Sequence, residues 1–391
     1  MCLGLGMYWA IFGLIADQTL FIMKILLFLF GLLALFPTCA QVKNQTKSIQ
    51  DKAYQKAIDL VRHYVDSLRV KQDIPGISIC VATDRQVLWA EGFGYADLEN
   101  RQPVTIYSKF RLGSVSKSLT SVAIGRLVED NKLDLDAPIQ QYVPTFPIKK
   151  RPVTSRQLAT HTAGIRHYRA DDPIAYPVRY PSVQAGLAIF KDDSLLFTPG
   201  SAYGYSTYGY SLLSAVIEGV SHTDYLTFMK KAVFDPLGMT GTGADYSDSL
   251  VSGRVRFYEH SKTGLVNAAM VDNSYKWAGG GLLSTPADLV RLGSGLLNHE
   301  VLRPETVALL LKPQHLSDGT NTYYGIGWRI GTDSQKRLII HHGGSIDGGR
   351  TFLLIYPDEK MVVAITANMS GVSINLREAE TIAQYFLASV R

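Results

Sequence analysis

Phe110-Arg111-Leu112-Gly113-Ser114-Val115-Ser116-Lys117-Ser118-Leu119-Thr120 is the stretch from which the rest of the chain reads. Residues three apart on a helix share a face, so the Ser114 hydroxyl and the Lys117 ammonium are expected side by side. Serine is a weak nucleophile at neutral pH and needs an adjacent base. A lysine serves when desolvation or nearby cations lower its pKa. Val122, Ala123, Ile124 and Leu127 follow, which predicts a buried helix rather than a solvated surface lysine. The competing reading is an exposed helix start capped by Ser114 or Ser116.

Outward from this helix the pattern defines an architecture. Residues 53–70 predict an amphipathic helix with Ala57, Leu60, Val61, Tyr64 and Leu68 on one side. Ile77–Ala82 and Val87–Phe93, around Thr83-Asp84-Arg85, read as a hairpin. From about 150 to 300 the chain is helical and loop-rich, most clearly at Tyr208–Gly219, Thr223–Phe234 and Pro286–Asn298. Strands return at Leu338–His341, Arg350–Tyr356 and Met361–Ala367, and Ser373–Val390 closes as an amphipathic helix. Strands at both ends with helices between predict an α/β fold. Its single antiparallel sheet is built from the two termini, flanked by helices, with a helical lobe inserted.

Two further sites carry chemistry. Tyr205 opens Tyr205-Ser206-Thr207 just before a predicted helix. A tyrosine beside a cationic lysine can have its pKa drawn down and move protons for the serine and the leaving group. His342-Gly343-Gly344-Ser345, followed by Gly348-Gly349, reads as a strand edge where glycines let a substrate approach the backbone. The N–H groups of Ser345 and Ser114 are expected to form an oxyanion hole. Taken singly, the first is equally a packing loop and the second a tight connection bearing an exposed histidine.

Composition sets the outer limits. The 391 residues, 46% hydrophobic and 19% charged with net charge +5, describe a packed globular protein of one large domain or two modest ones. The longest basic run is Lys149-Lys150-Arg151, which excludes nucleic acid as an expected partner. Met23-Lys24, the apolar run Ile25–Phe36 and Pro37-Thr38-Cys39-Ala40-Gln41 describe a secretory signal with cleavage before Gln41. The expected organisation is therefore 1–40 as signal peptide with an upstream extension (1–22), 41–52 as a polar linker and 53–391 as the domain. Export to a periplasm or the outside follows, with the membrane met only through this N-terminus; an uncleaved anchor is the alternative. Cys80 alone remains in the mature chain, as a buried small hydrophobe. The histidines and that cysteine show no zinc-ligand spacing, so neither metal nor cofactor is expected. His161 reads as packing or loop support.

Ser-x-x-Lys, then Tyr-Ser-x, then a His-x-Gly strand resembles the serine β-lactamase-like family, which includes class C β-lactamases and related penicillin-binding proteins. Gln157–Gly164, Ala278–Pro286 and Tyr324-Gly325-Ile326-Gly327-Trp328 match in order, and the resemblance covers residues 53 to 390. It implies an α/β sandwich with the site between the sheet and a helical lobe. It also implies Ser114 as acylated nucleophile, Lys117 as its base, Tyr205 as proton shuttle, and His342-x-Gly344 as the substrate-holding strand. Thr207 stands where lactamases place an amide, and one hydroxyl lacks that group's two-sided hydrogen bonding. His342 stands where many members carry lysine, so a fixed cation is lost unless Arg166 or Arg350 replaces it. Both departures point away from β-lactams and toward a peptidase or esterase acting on a small molecule or peptide. A β-lactamase and a non-catalytic sensor or scaffold stay open as alternatives.

Overall fold

The computed structural model describes residues 48–172 and 178–390. The expected signal peptide and residues 41–47 of the expected linker lie outside the described residues. The sheet comprises β1 (Ser48–Gln50), β2 (Gly76–Thr83), β3 (Gln86–Asp97), β4 (Arg329–Thr332), β5 (Leu338–Ile346), β6 (Gly349–Tyr356) and β7 (Met361–Ala367). They pair antiparallel in the order β1-β3-β2-β7-β6-β5-β4, with Gln102–Pro103 added onto β3. The termini meet at its centre, where β2 pairs β7 from Thr83↔Met361 to Ile77↔Ala367. Ser48–Gln50, within the stretch read as linker, pairs with β3 as the sheet's first strand.

Local chemistry explains the strands. Asp84 and Arg85 both have positive φ (43° and 73°), and Thr83 pairs Gln86, the two-residue turn whose twist suits a hairpin. Central strands are covered on both faces and so read as unbroken apolar runs. Ile77, Ile79 and Val81 face one core with Val363 and Ile365, while Cys80 and Ala82 face the other with Val362 and Ala364.

The helices that frame the molecule are α1 (Gln55–Lys71), α2 (Ser116–Glu129), α3 (Thr207–Ser221), α4 (Trp277–Gly280), α5 (Pro286–Leu297), α6 (Pro304–Leu311) and α7 (Leu376–Leu387). The first and last cover the outer face, through Ile58, Val61, Val65, Ile382 and Phe386. Leu60, expected on the buried side of α1, is exposed, because the arc is centred on Ala57, Val61 and Val65. The remaining helices share the core on the inner face. There α5 lies so close that a Cβ on Gly293 would stand 2.7 Å from Val362 Cγ1.

Two further differences concern boundaries. The strand expected to stop at His341 continues to Ile346 because residues 340–346 pair with β6. Thr223–Phe234 resolves into a helix at Tyr225–Met229 and a wider turn at Lys230–Phe234. Among the described residues no helix is long and apolar enough to cross a membrane.

Candidate active site

Gly113–Val115 forms one tight turn that runs straight into α2. Gly113 has φ +50°, a conformation costly for a residue with a Cβ, and this bends the chain so that Ser114 heads the helix. The helix is buried from Ser116 to Gly125, so its hydroxyls need internal partners. Ser118 Oγ donates to Gly327 O at 2.8 Å, and Trp328 Nε1 donates to Ser121 Oγ at 2.8 Å. Gly327 (φ +79°) leaves room for the Lys117 carbonyl, 2.7 Å from where its Cβ would be. The Tyr324–Trp328 motif thus wraps the nucleophile helix.

Lys117 is fully buried, with Nζ 3.1 Å from Ser114 Oγ, 3.2 Å from Thr207 Oγ1 and 2.6 Å from Gly279 O. Burial holds this amine well below the ordinary lysine value, helped by the nearby charges of Lys276 and Arg329. A neutral amine has two hydrogens and one lone pair. The Gly279 carbonyl can only accept, and the Thr207 hydroxyl can take the second hydrogen. The lone pair is then left facing the Ser114 hydroxyl.

The Tyr205-Ser206-Thr207 segment is set by a cap. Ser206 Oγ accepts the Gly209 N–H (2.9 Å) at the start of α3 and donates to Arg166 O (2.7 Å). That places Thr207 on the first turn and Tyr205 just outside it, its ring 4.9 Å from Lys117 Nζ. His161, read as support, fulfils that reading. Its Nδ1 accepts the Ser206 N–H at 3.1 Å and its ring packs 4.2 Å from that of Tyr205. The expectation that lysine lowers the tyrosine's pKa fails. Burial pushes the Tyr205 phenol well up, and contact with Ser114 and the Arg329 charge offset this only in part.

The strand wall differs from its sequence reading. A Cβ on Gly344 would lie 1.9 Å from Leu112 O, and one on Gly113 would lie 2.9 Å from Ser345 N. These glycines therefore admit the nucleophile turn, not substrate, against β5. Ser345 N is brought beside the Gly113–Ser114 turn. His342 is buried behind the wall. Its Nδ1 donates to Gly343 O (2.8 Å), so its Nε2 accepts from Tyr324 O–H at 2.8 Å. Burial holds this imidazole well below the usual histidine value, so it carries no charge.

A cleft of about 440 Å³ opens onto Ser114, Tyr205, Thr207 and Ser345, all named from sequence. Lys117, His342 and Gly344 lie behind it. Sequence reasoning missed His167, Lys276 and Asp347, which also line it. His167 Nδ1 accepts the Thr207 N–H at 3.3 Å, and burial holds its pKa down to about 4. The adjacency of Lys276 to the quoted Ala278–Pro286 motif was the available signal. Of the two arginines considered, Arg350 lines the cleft. Arg166 does not: it is consumed by Asp172 (2.7 Å), Asp193 and the Ile189 carbonyl. A larger groove of about 530 Å³, between residues 147–151 and 192–199, holds none of these groups.

An antiparallel sheet with a serine–lysine pair heading a buried helix beside its edge is the arrangement of the β-lactamase and penicillin-binding class of serine hydrolases. The chain belongs to the Beta-lactamase family, whose profile matches residues 57–385. It is 31% identical to the human mitochondrial serine beta-lactamase-like protein LACTB over 83% of this chain and 79% of that protein. Penicillin-binding protein 4* of Bacillus subtilis is 26% identical over 74% of this chain and 67% of its own. Among solved structures, the octameric penicillin-binding protein homologue from Pyrococcus abyssi superposes with TM-score 0.73. It is 27% identical and covers 85% of this chain and 77% of that one.

Proposed function

We propose that this chain is an exported serine hydrolase that opens amide or ester bonds through an acyl-enzyme on Ser114. The observation that supports this most is the buried Lys117 amine, 3.1 Å from Ser114 Oγ and held well below its usual pKa. In the proposed sequence Lys117 takes the Ser114 proton as Oγ bonds to the substrate carbonyl carbon. The N–H groups of Ser114 and Ser345 receive the resulting oxyanion. The raised pKa of Tyr205 makes it a donor at rest, so it protonates the departing amine or alkoxide and regains a proton from Lys117. Water then attacks the acyl carbon and gives a proton back through the same groups, which frees Ser114 and the acid. Thr207, occupied by Lys117, offers little to the acylamide that lactamases hold with a side-chain amide at this position, which favours peptides or esters over β-lactams.

Labelling with a fluorophosphonate, followed by mass mapping, tests the reading. Wild type is expected to carry the adduct on Ser114 and Ser114→Ala to carry none. Equal labelling of the two proteins would falsify it.

A further inference from the structure

The cleft that exposes Ser114 also carries two cations, Lys276 and Arg350. Lys276 is only 6% exposed, and its ammonium lies 5.1 Å from the Tyr275 ring and 5.7 Å from the Tyr168 ring. Buried charges are ordinarily paired, because desolvation without a partner is costly. The buried carboxylate nearby, Asp245, is already shared by Arg111 (2.7 Å) and Arg254 (3.2 Å). Among the described residues Arg350 donates only to a carbonyl, Val372 O, at 3.2 Å. Asp347 is the one acid on the cleft wall, so the wall holds two cations against one carboxylate. The third-motif strand supplies no cation, since His342 is uncharged and turned away.

Resting on the hydrolase reading above, we propose that Lys276, with Arg350, binds a carboxylate on the substrate and makes the enzyme selective for anionic amides or esters. The two cations stand on the turn that precedes α4 and on β6, not on the strand that carries His342. That turn also supplies the Gly279 carbonyl to Lys117, so recognition and nucleophile activation share one short segment. A charge-assisted contact of this kind is worth about ten-fold or more in affinity or kcat/KM.

The test uses the full chain and two isosteric pairs. N-acetyl-glutamyl and N-acetyl-glutaminyl p-nitroanilides place the charge on the acyl side. A short peptide with a free or an amidated C-terminus places it on the leaving side. In at least one pair wild type is expected to prefer the anion by about ten-fold or more. Lys276→Met is expected to lose most of that preference and Lys276→Arg to keep it. Retained fluorophosphonate labelling of Ser114 in both variants shows that the site is folded, while its rate is free to change in Lys276→Met because the Lys276 charge bears on Lys117. Calorimetry of both pairs on Ser114→Ala reads the preference without turnover, so a dead enzyme and a wrong anion site are told apart. No preference in either pair by either readout, or a preference that survives Lys276→Met, overturns the proposal.

Discussion

Two lysines meet the segment 276–280, both buried, and the structure surrounds them with groups of opposite effect on their charge. Lys117 has hydroxyls and a carbonyl around it and only cations at longer range, so burial drives its pKa well below the ordinary lysine value. Lys276 is lowered only to about 8, because Asp347 and Asp245 support the charge that burial and Arg111 oppose. It therefore stays largely protonated at neutral pH, whereas no carboxylate supports a charge on Lys117. Burial alone does not set the role of an amine; the sign of what surrounds it does.

Exchanging the first lysine tests the comparison most severely. Lys117→Met keeps the side-chain volume and removes the base. The acylation rate is expected to fall by about 10²–10⁴-fold, with Lys276 unable to compensate from its own position. Stopped-flow acylation by an activated ester reads this directly, and a loss below ten-fold would mean that the base lies elsewhere. Thr207→Val is milder. It removes the acceptor for one amine hydrogen, and kcat is expected to drop about ten-fold with KM little changed.

The second lysine responds to pH within an accessible range. Lys276 carries charge below about 8 and loses it above. The groups around it are Asp347 and Asp245, which favour the charge, Arg111, which opposes it, and the faces of Tyr168 and Tyr275. His167, held down to about 4, stays neutral throughout this range. The kcat/KM ratio for anionic over neutral substrate is expected to fall several-fold from about pH 7 to about pH 9. Arg350 keeps part of the preference. Taking the ratio cancels any effect of Lys117 on both substrates, and a flat ratio would remove Lys276 from recognition.

How far the site could be read from sequence follows from how local each feature is. Ser114 and Lys117 were legible because a helical repeat fixes their relation, and Tyr205 because the Tyr-Ser-x segment lies just before a predicted helix and matches the second motif of the family. The sheet was legible from apolar runs such as Ile77–Ala82, whose coverage on both faces leaves little polar alternation. Periodicity on α1 misplaced Leu60, since a wide apolar arc does not say where its centre lies. Gly344 was read as a door for substrate, but its space is taken by the Leu112 carbonyl, a contact between segments distant in the chain. Lys276 escaped notice for the same reason. Only the fold brings it into the cleft that Asp347 and Arg350 also line.

The smallest expected effect bears on the comparison through stability. An unfolded chain protonates each lysine up to about pH 10.4. The folded chain releases the Lys117 proton far lower and the Lys276 proton near 8. Within each window the unfolded state holds a proton that the native state lacks, so native stability rises with pH, by at most about 1.4 kcal/mol per pH unit per group. Lys276 contributes only above about 8, whereas Lys117 contributes from its lower value upward. Below about pH 8 the urea midpoint of wild type should therefore climb relative to Lys117→Met once the lowered Lys117 value is passed, while wild type and Lys276→Met run nearly parallel. Above about pH 8 both variants should lag behind wild type. If Lys117→Met instead tracks wild type across the lower interval, the amine beside Ser114 is protonated in the native state, and the division of labour between the two lysines fails at its first term.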